Sequence, residues 1–233
     1  MPGWWINYCR KLVSSFWLGS LKGKSIIALD ICGSVMAASA FLDHEITRPG
    51  GVLFLALPTE GVKEVPIRLR GLVKDKLAKQ GLSEKFLDKL PIAWLRDGEN
   101  AFNLQKQNDV NRLVADLEAA AAKMYKVYGV PPVLVVVDAM EAAAKFSKVT
   151  RQTEAKRVAE TLAAIGQRFK VCILVIDHLG KDEDQGPLGS IAKEGGADVV
   201  LSVRGKTFAV HSSRLTKKRE RNGTPVLAWN PSN

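Results

Sequence analysis

Along the chain, hydrophobic positions fall into two patterns. Some are short unbroken runs: "VLFLAL" (Val52–Leu57), the "IAWL" of Ile92–Leu95, "VLVVV" (Val133–Val137) and "VCILVIDH" (Val171–His178). Consecutive apolar residues over strand length, rich in β-branched types, predict strands covered on both faces. Leu12–Leu18, short, apolar and aromatic, predicts a first strand. Between these runs the apolar residues return every third or fourth place. Ser25–Ala40 predicts a buried helix and Pro66–Gln80 a basic amphipathic one. In Asp109–Tyr128, Leu113, Leu117, Ala120, Met124 and Val127 line one helical stripe, which Gly129 ends. Thr153–Phe169 predicts another helix. Towards the end, "GADVVLSV", "TFAVHSSRL" and "PVLAW" predict strands, with "KKRERNG" as the hairpin turn between the last two.

Strands that alternate with helices and are apolar throughout define an α/β fold. The expected architecture is a largely parallel central sheet flanked by helices, with antiparallel strands at the C-terminal edge. No internal repeat or low-complexity linker divides the chain, so one domain is expected over 12–233, preceded by a short segment at 1–11. The loop-like "GKDEDQGPLG", Gly180–Gly189, follows a strand directly, where such folds place their ligands.

Charge adds to this picture. Lys and Arg number 34 against 24 Asp and Glu, a net +10 that favours anionic partners such as nucleic acid or nucleotides. The three cysteines, Cys9, Cys32 and Cys172, have no metal-binding or disulfide spacing, which fits a reducing cytoplasm. The amino terminus lacks a basic segment followed by a long apolar one, and no run approaches the ~18 apolar residues of a membrane span. A soluble cytoplasmic location is therefore expected. Three histidines do not assemble a catalytic triad or a metal cluster by spacing.

Five stretches carry candidate chemistry. In "LGSLKGKSIIALD", Leu18–Asp30, the residues Gly23, Lys24 and Ser25 open an apolar helix just after an apolar strand. Phosphate loops have this context: glycines let backbone amides turn towards phosphates, the lysine reaches the terminal phosphates, and the hydroxyl binds magnesium. The pattern G-x-x-x-x-G-K-[ST] places its first glycine at position 18, where this chain has leucine; Gly19 follows one place later. The other reading of the tripeptide is a basic turn before a helix. Asp138 ends the valine run, as does the acid that holds a magnesium shell from the end of a neighbouring strand, or as does a helix-capping aspartate. Glu60, just past "VLFLAL", is placed to polarise an attacking water, or else lies in a solvated loop. His178, preceded by Asp177 and followed by Lys181, stands where a polar residue would sense a terminal phosphate, or serves structure only. Arg214, Lys217, Lys218, Arg219 and Arg221 form a basic run that is either a solvated surface or a source of arginine acting on a neighbouring subunit's nucleotide.

Taken in order, the GKS helix, "VLFLALPTEG", "EVPIRLRGLV", "LVVVDAM", "IDHLGKD" with "ADVVLSV", and the basic "RERNG" hairpin resemble the RecA-fold, AAA-type P-loop ATPases related to the plasmid replicative helicase RepA. The resemblance runs from about Leu12 to Trp229. It implies ATP and Mg2+ as cofactors, with Gly19, Gly23, Lys24 and Ser25 at the phosphates and Ser25 and Asp138 at the metal. It also implies Glu60 as catalytic base, His178 after the last core strand, and Arg219 and Arg221 as sources of an arginine finger. A homo-oligomeric ring such as a hexamer, and single-stranded DNA as partner, are implied as well. The chain departs from the family pattern at Leu18, at Ala139 where relatives carry threonine, and at Leu188 where they carry arginine. These departures keep open a second reading, a non-hydrolysing DNA-binding or assembly subunit.

Overall fold

The computed structural model describes residues 15–19, 24–42, 44–56, 65–96, 103–146, 151–176, 199–204, 207–213 and 226–228. Among these residues, eight strands form one sheet: β1 (Ser15–Gly19), β2 (Gly51–Ala56), β3 (Ile92–Arg96), β4 (Pro132–Asp138), β5 (Cys172–Ile176), β6 (Val199–Arg204), β7 (Thr207–Ser213) and β8 (Val226–Ala228). The helices are α1 (Lys24–Ala37), α2 (Val65–Lys79), α3 (Gln107–Tyr128), α4 (Met140–Ala144) and α5 (Arg151–Phe169), with a 3₁₀ turn at Glu84–Lys89.

The strand order is β3-β2-β4-β5-β1-β6-β7-β8. The first six are mutually parallel, and β7 and β8 add antiparallel pairs at the C-terminal edge. The expected architecture is therefore the observed one. Parallel neighbours need helical crossovers, and the direction of each crossover decides which face its helix covers. The steps β1 to β2 and β2 to β3 go one way along the sheet, and α1 and α2 share one face with Val52, Phe54, Leu134, Val136 and Leu174. The steps β3 to β4 and β4 to β5 go the other way, and α3, α4 and α5 cover Leu53, Leu55, Val135, Val137, Ile173 and Val175. Strict alternation along apolar strands thus feeds two cores, one on each side.

Close approach fixes where the helices sit. Gly51, the first residue of β2, lies under α3 so tightly that a Cβ there would come 1.9 Å from Met124 Sδ. Leu113, Leu117 and Met124 are buried as the periodicity predicts, but Val127 is 58% exposed. Met124 already reaches the first residue of β2, so the last turn of α3 overruns the sheet and has nothing beneath it. Gly129 then ends the helix in the left-handed region (φ 70°), its amide donating to the Tyr125 carbonyl.

Candidate active site

Strand register sets the geometry of the site. Arg96, Ala56, Asp138, Ile176, Leu18 and Leu201 pair in one row across six strands. The carboxyl ends of β1 to β5 are therefore level, and the chain leaves the sheet there at five neighbouring points. In α/β sheets the crevice beyond these ends, where crossovers diverge to opposite faces, is the place for a ligand. Here the divergence falls at β1, whose crossover runs to the α1 face, and β4, whose crossover runs to the α4–α5 face.

Lys24 is the first residue of α1, which starts close behind the end of β1. Its side chain is only 7% exposed, while Ser25 is half-buried. The first turn of α1 contains no acidic residue. The first-turn amides and positive dipole end of a helix of 14 residues thus combine with a buried ammonium group, an arrangement suited to an anion.

Asp138 is the last residue of β4, at the same edge of the sheet as Lys24. It continues the alternation of Leu134 and Val136, which pack on the α1 face. Its charge also bears on the thiol of Cys32 inside α1. Burial pushes that thiol well above the ordinary range, and Asp138 and Asp30 push it further. Asp138 is half-buried, and the residue at the N-cap of α4 is Ala139, with no side-chain cap. The reading of Asp138 as a helix cap is thus set aside. In the sheet β5 lies between β1 and β4. At about 4.8 Å per strand, the two ends are roughly 10 Å apart, a separation that a triphosphate with its metal can bridge.

Gly19 is the last residue of β1. Strand structure therefore continues one residue past Leu18, and the connection to Lys24 consists of residues 20–23. Gly23, Glu60, His178, Arg219 and Arg221 lie outside the described residues, as do Leu188 and the basic hairpin turn. Two of them follow strands whose ends belong to the level row: Glu60 comes after β2 and His178 after β5.

One pair escaped the sequence reading. Lys76 Nζ of α2 is 2.6 Å from Asp30 Oδ1 of α1, and both side chains are largely covered (15% and 16% exposed). The available signal was Asp30 itself, an acid inside the apolar run "SIIALDICG", which calls for a cation from another element. Among the described residues no cluster of three or more metal-ligating side chains is present. One hydroxyl, Ser25, and one carboxylate, Asp138, fit a magnesium ion that would be held largely by a nucleotide and water rather than caged by protein. No described helix is long and apolar enough to cross a membrane.

Sheet order and helix placement together define the RecA-like P-loop NTPase fold. Among solved structures, one described as an ATPase domain has the same fold: TM-score 0.62 at 13% identity, covering 93% of this chain and 80% of that one. The family model described as "AAA domain" matches residues 19–184, and the chain belongs to that family. No curated protein matches it.

Proposed function

We propose that this chain binds ATP with magnesium at the carboxyl edge of its sheet and hydrolyses it, coupling the cycle to unwinding or remodelling of DNA. The observation that carries the proposal is the convergence of Lys24, buried at the amide end of α1, and Asp138, at the same sheet edge and on the same face. Lys24 would hold the terminal phosphates and Ser25 and Asp138 the magnesium shell. Bound magnesium supplies charge neutralisation at the phosphates. Glu60 would polarise the attacking water, His178 would sense the terminal phosphate, and Arg219 or Arg221 would act across a subunit boundary in a ring. The net charge of +10 supports DNA as the partner, and the order of motifs supports a relation to the RepA helicases. That all eight strands from Ser15 to Ala228 share one sheet supports a single ATPase domain over 12–233.

A second reading is favoured by one observation. Leu18 stands where the pattern of the class has its first glycine, and β1 runs through Gly19, so only residues 20–23 separate the strand from Lys24. On this reading the chain is a non-hydrolysing DNA-binding or assembly subunit. Steady-state ATP turnover, with and without single-stranded DNA, separates the two. Under the first reading Lys24→Ala abolishes turnover. Absence of any Lys24-dependent turnover, with salt-sensitive DNA binding retained, would establish the second.

A further inference from the structure

We propose that the amino rim of the sheet, opposite the edge that carries Lys24 and Asp138, holds single-stranded DNA: Arg48, Lys126 and Lys170 would meet its phosphates, and Tyr125 and Tyr128 its bases. The inference rests on the reading of DNA as the partner and adds the surface that binds it. It concerns no residue placed at the nucleotide.

Three neighbouring strands bring these residues together. In the sheet β4 lies between β2 and β5, and all three run in the same direction, so their amino ends share one rim. Arg48 stands three residues before β2 and Lys170 two residues before β5. The guanidinium of Arg48 donates from Nη1 to the Lys170 carbonyl at 3.0 Å, which carries it across the amino end of β4. That end is also where α3 arrives, since the Pro131 carbonyl accepts from the Gly51 amide at 2.9 Å. Glu118 of α3 pairs with Arg168 near the end of α5, which identifies the side of α3 that faces α5. Tyr125 lies seven residues, or two turns, further along the same stripe, and Tyr128 is its neighbour three residues on. The last turn of α3, with no sheet beneath it, therefore holds both rings on the side where Arg48 meets Lys170.

Exposure and charge point to what fits there. Tyr125 is 65% exposed and Tyr128 37%, and Arg48, Lys126 and Lys170 are all exposed. Among the described residues none of these three cations takes part in an ion pair. α3 has no acid after Glu118, which Arg168 already holds, and α5 has none after Glu160. Glu45, exposed in the loop before Arg48, leaves the sum positive. The dipole of a helix accounts for a lysine in its last turn, but not for two exposed phenol rings or for an arginine on a loop. Cations that follow a backbone, set among aromatic faces, are the combination that binds single strands without reading their sequence. A duplex offers the same phosphates but keeps its bases stacked inside, so the two rings favour the single strand.

The test uses the full chain and the fluorescence anisotropy of a labelled oligothymidine, from about 50 to 200 mM salt. Lys126→Ala combined with Lys170→Ala is expected to lower the slope of log affinity against log salt by about 1.4, at about 0.7 for each phosphate contact. Tyr125→Ala is expected to weaken binding by at least about fivefold with the slope unchanged, and Tyr125→Phe to bind as the parent does. Lys79→Ala combined with Lys85→Ala removes the same charge from exposed positions on the α2 side, and is expected to leave the slope unchanged. An equal loss in that control would show diffuse attraction and overturn the proposal, as would unchanged binding in Tyr125→Ala or tighter binding of the duplex. A change of oligomeric state in the rim variants, read by light scattering, would make the rim a contact between subunits and overturn it too. All of these leave DNA as a partner held elsewhere on the chain. A parent chain that binds no oligothymidine at low salt, or binds an oligouridine more tightly, overturns the surface and the DNA reading together; Lys24-dependent turnover then stands or falls by itself.

Discussion

Replacing Gly51 with alanine tests how the α3 layer is seated. The added Cβ would lie 1.9 Å from Met124 Sδ and 3.1 and 3.2 Å from its Cγ and Cε, all far inside contact distance. Met124 is 2% exposed, so its side chain has little room to withdraw. Forcing a methyl group into a filled core costs about 1–3 kcal/mol. Relief of glycine's backbone entropy returns roughly 0.5–1 kcal/mol, because Gly51 does not occupy the left-handed region. The net expectation is a loss of about 1–2 kcal/mol. For a chain of this size that lowers Tm by about 2–8 °C. Thermal melting followed by circular dichroism reads the shift, and Gly71→Ala is the internal control. A Cβ at Gly71, on the exposed side of α2, meets nothing within 4 Å, so that variant should gain about 0.5–1 kcal/mol. Met124→Ala by itself should cost about 2–5 kcal/mol. Combined with Gly51→Ala it opens the space the methyl group needs, so the double variant should be at least about 1 kcal/mol more stable than the sum of the singles. Strictly additive effects, or a Gly51→Ala protein as stable as the parent, would refute this account of how α3 meets β2.

Two other outcomes follow from the site and its surroundings. The Cys32 thiol is held protonated by burial, then by Asp138 and Asp30, while in the unfolded chain it ionises in the ordinary range; its stabilising contribution is therefore complete below about pH 8.5 and is lost as pH rises, at up to about 1.4 kcal/mol per unit. Urea titrations from about pH 8 to 10 should show a shallower decline in Cys32→Ala than in the parent, and equal slopes would contradict the assignment. For the basic hairpin, Arg219→Ala or Arg221→Ala should lower ATP turnover while leaving binding of an ATP analogue nearly intact; equal loss of both would remove the role across a subunit boundary.

Local pattern carried most of the fold. The runs at Val52–Leu57 and Val133–Val137 match β2 and β4 to within a residue, because strands covered on both faces need apolar residues at every position. Pro66–Gln80 matches α2 because Leu69, Val73 and Leu77 recur at helical spacing and all are buried. What pattern could not supply was information held between distant segments. The five residues of α4 are too short to show a period, and the exposure of Val127 depends on where β2 begins. The position of Asp138 at the carboxyl edge was legible from its place at the end of an apolar run. The insertion of β5 between it and β1 was not, since strand order is fixed by crossovers rather than by residues. Likewise Asp30 was visible as an acid in apolar company, but its distant partner, Lys76, was visible only once α1 and α2 were packed.

The valine run of β4 has a consequence of its own. A ribbon equally oily on its two sides contains no instruction about which side is which: sliding it by one place would exchange one valine for another and bury nearly as much grease. The same slide would carry the terminal acid across to the α3–α5 layer, away from the ammonium of Lys24. Handedness at this end of the molecule is thus imposed from outside the ribbon, by the notch where Gly50 meets Val133 and Pro131 and by the Gly51 amide, which donates to the Pro131 carbonyl at 2.9 Å. A nucleotide pocket assembled at one rim is in that sense registered by contacts at the opposite rim.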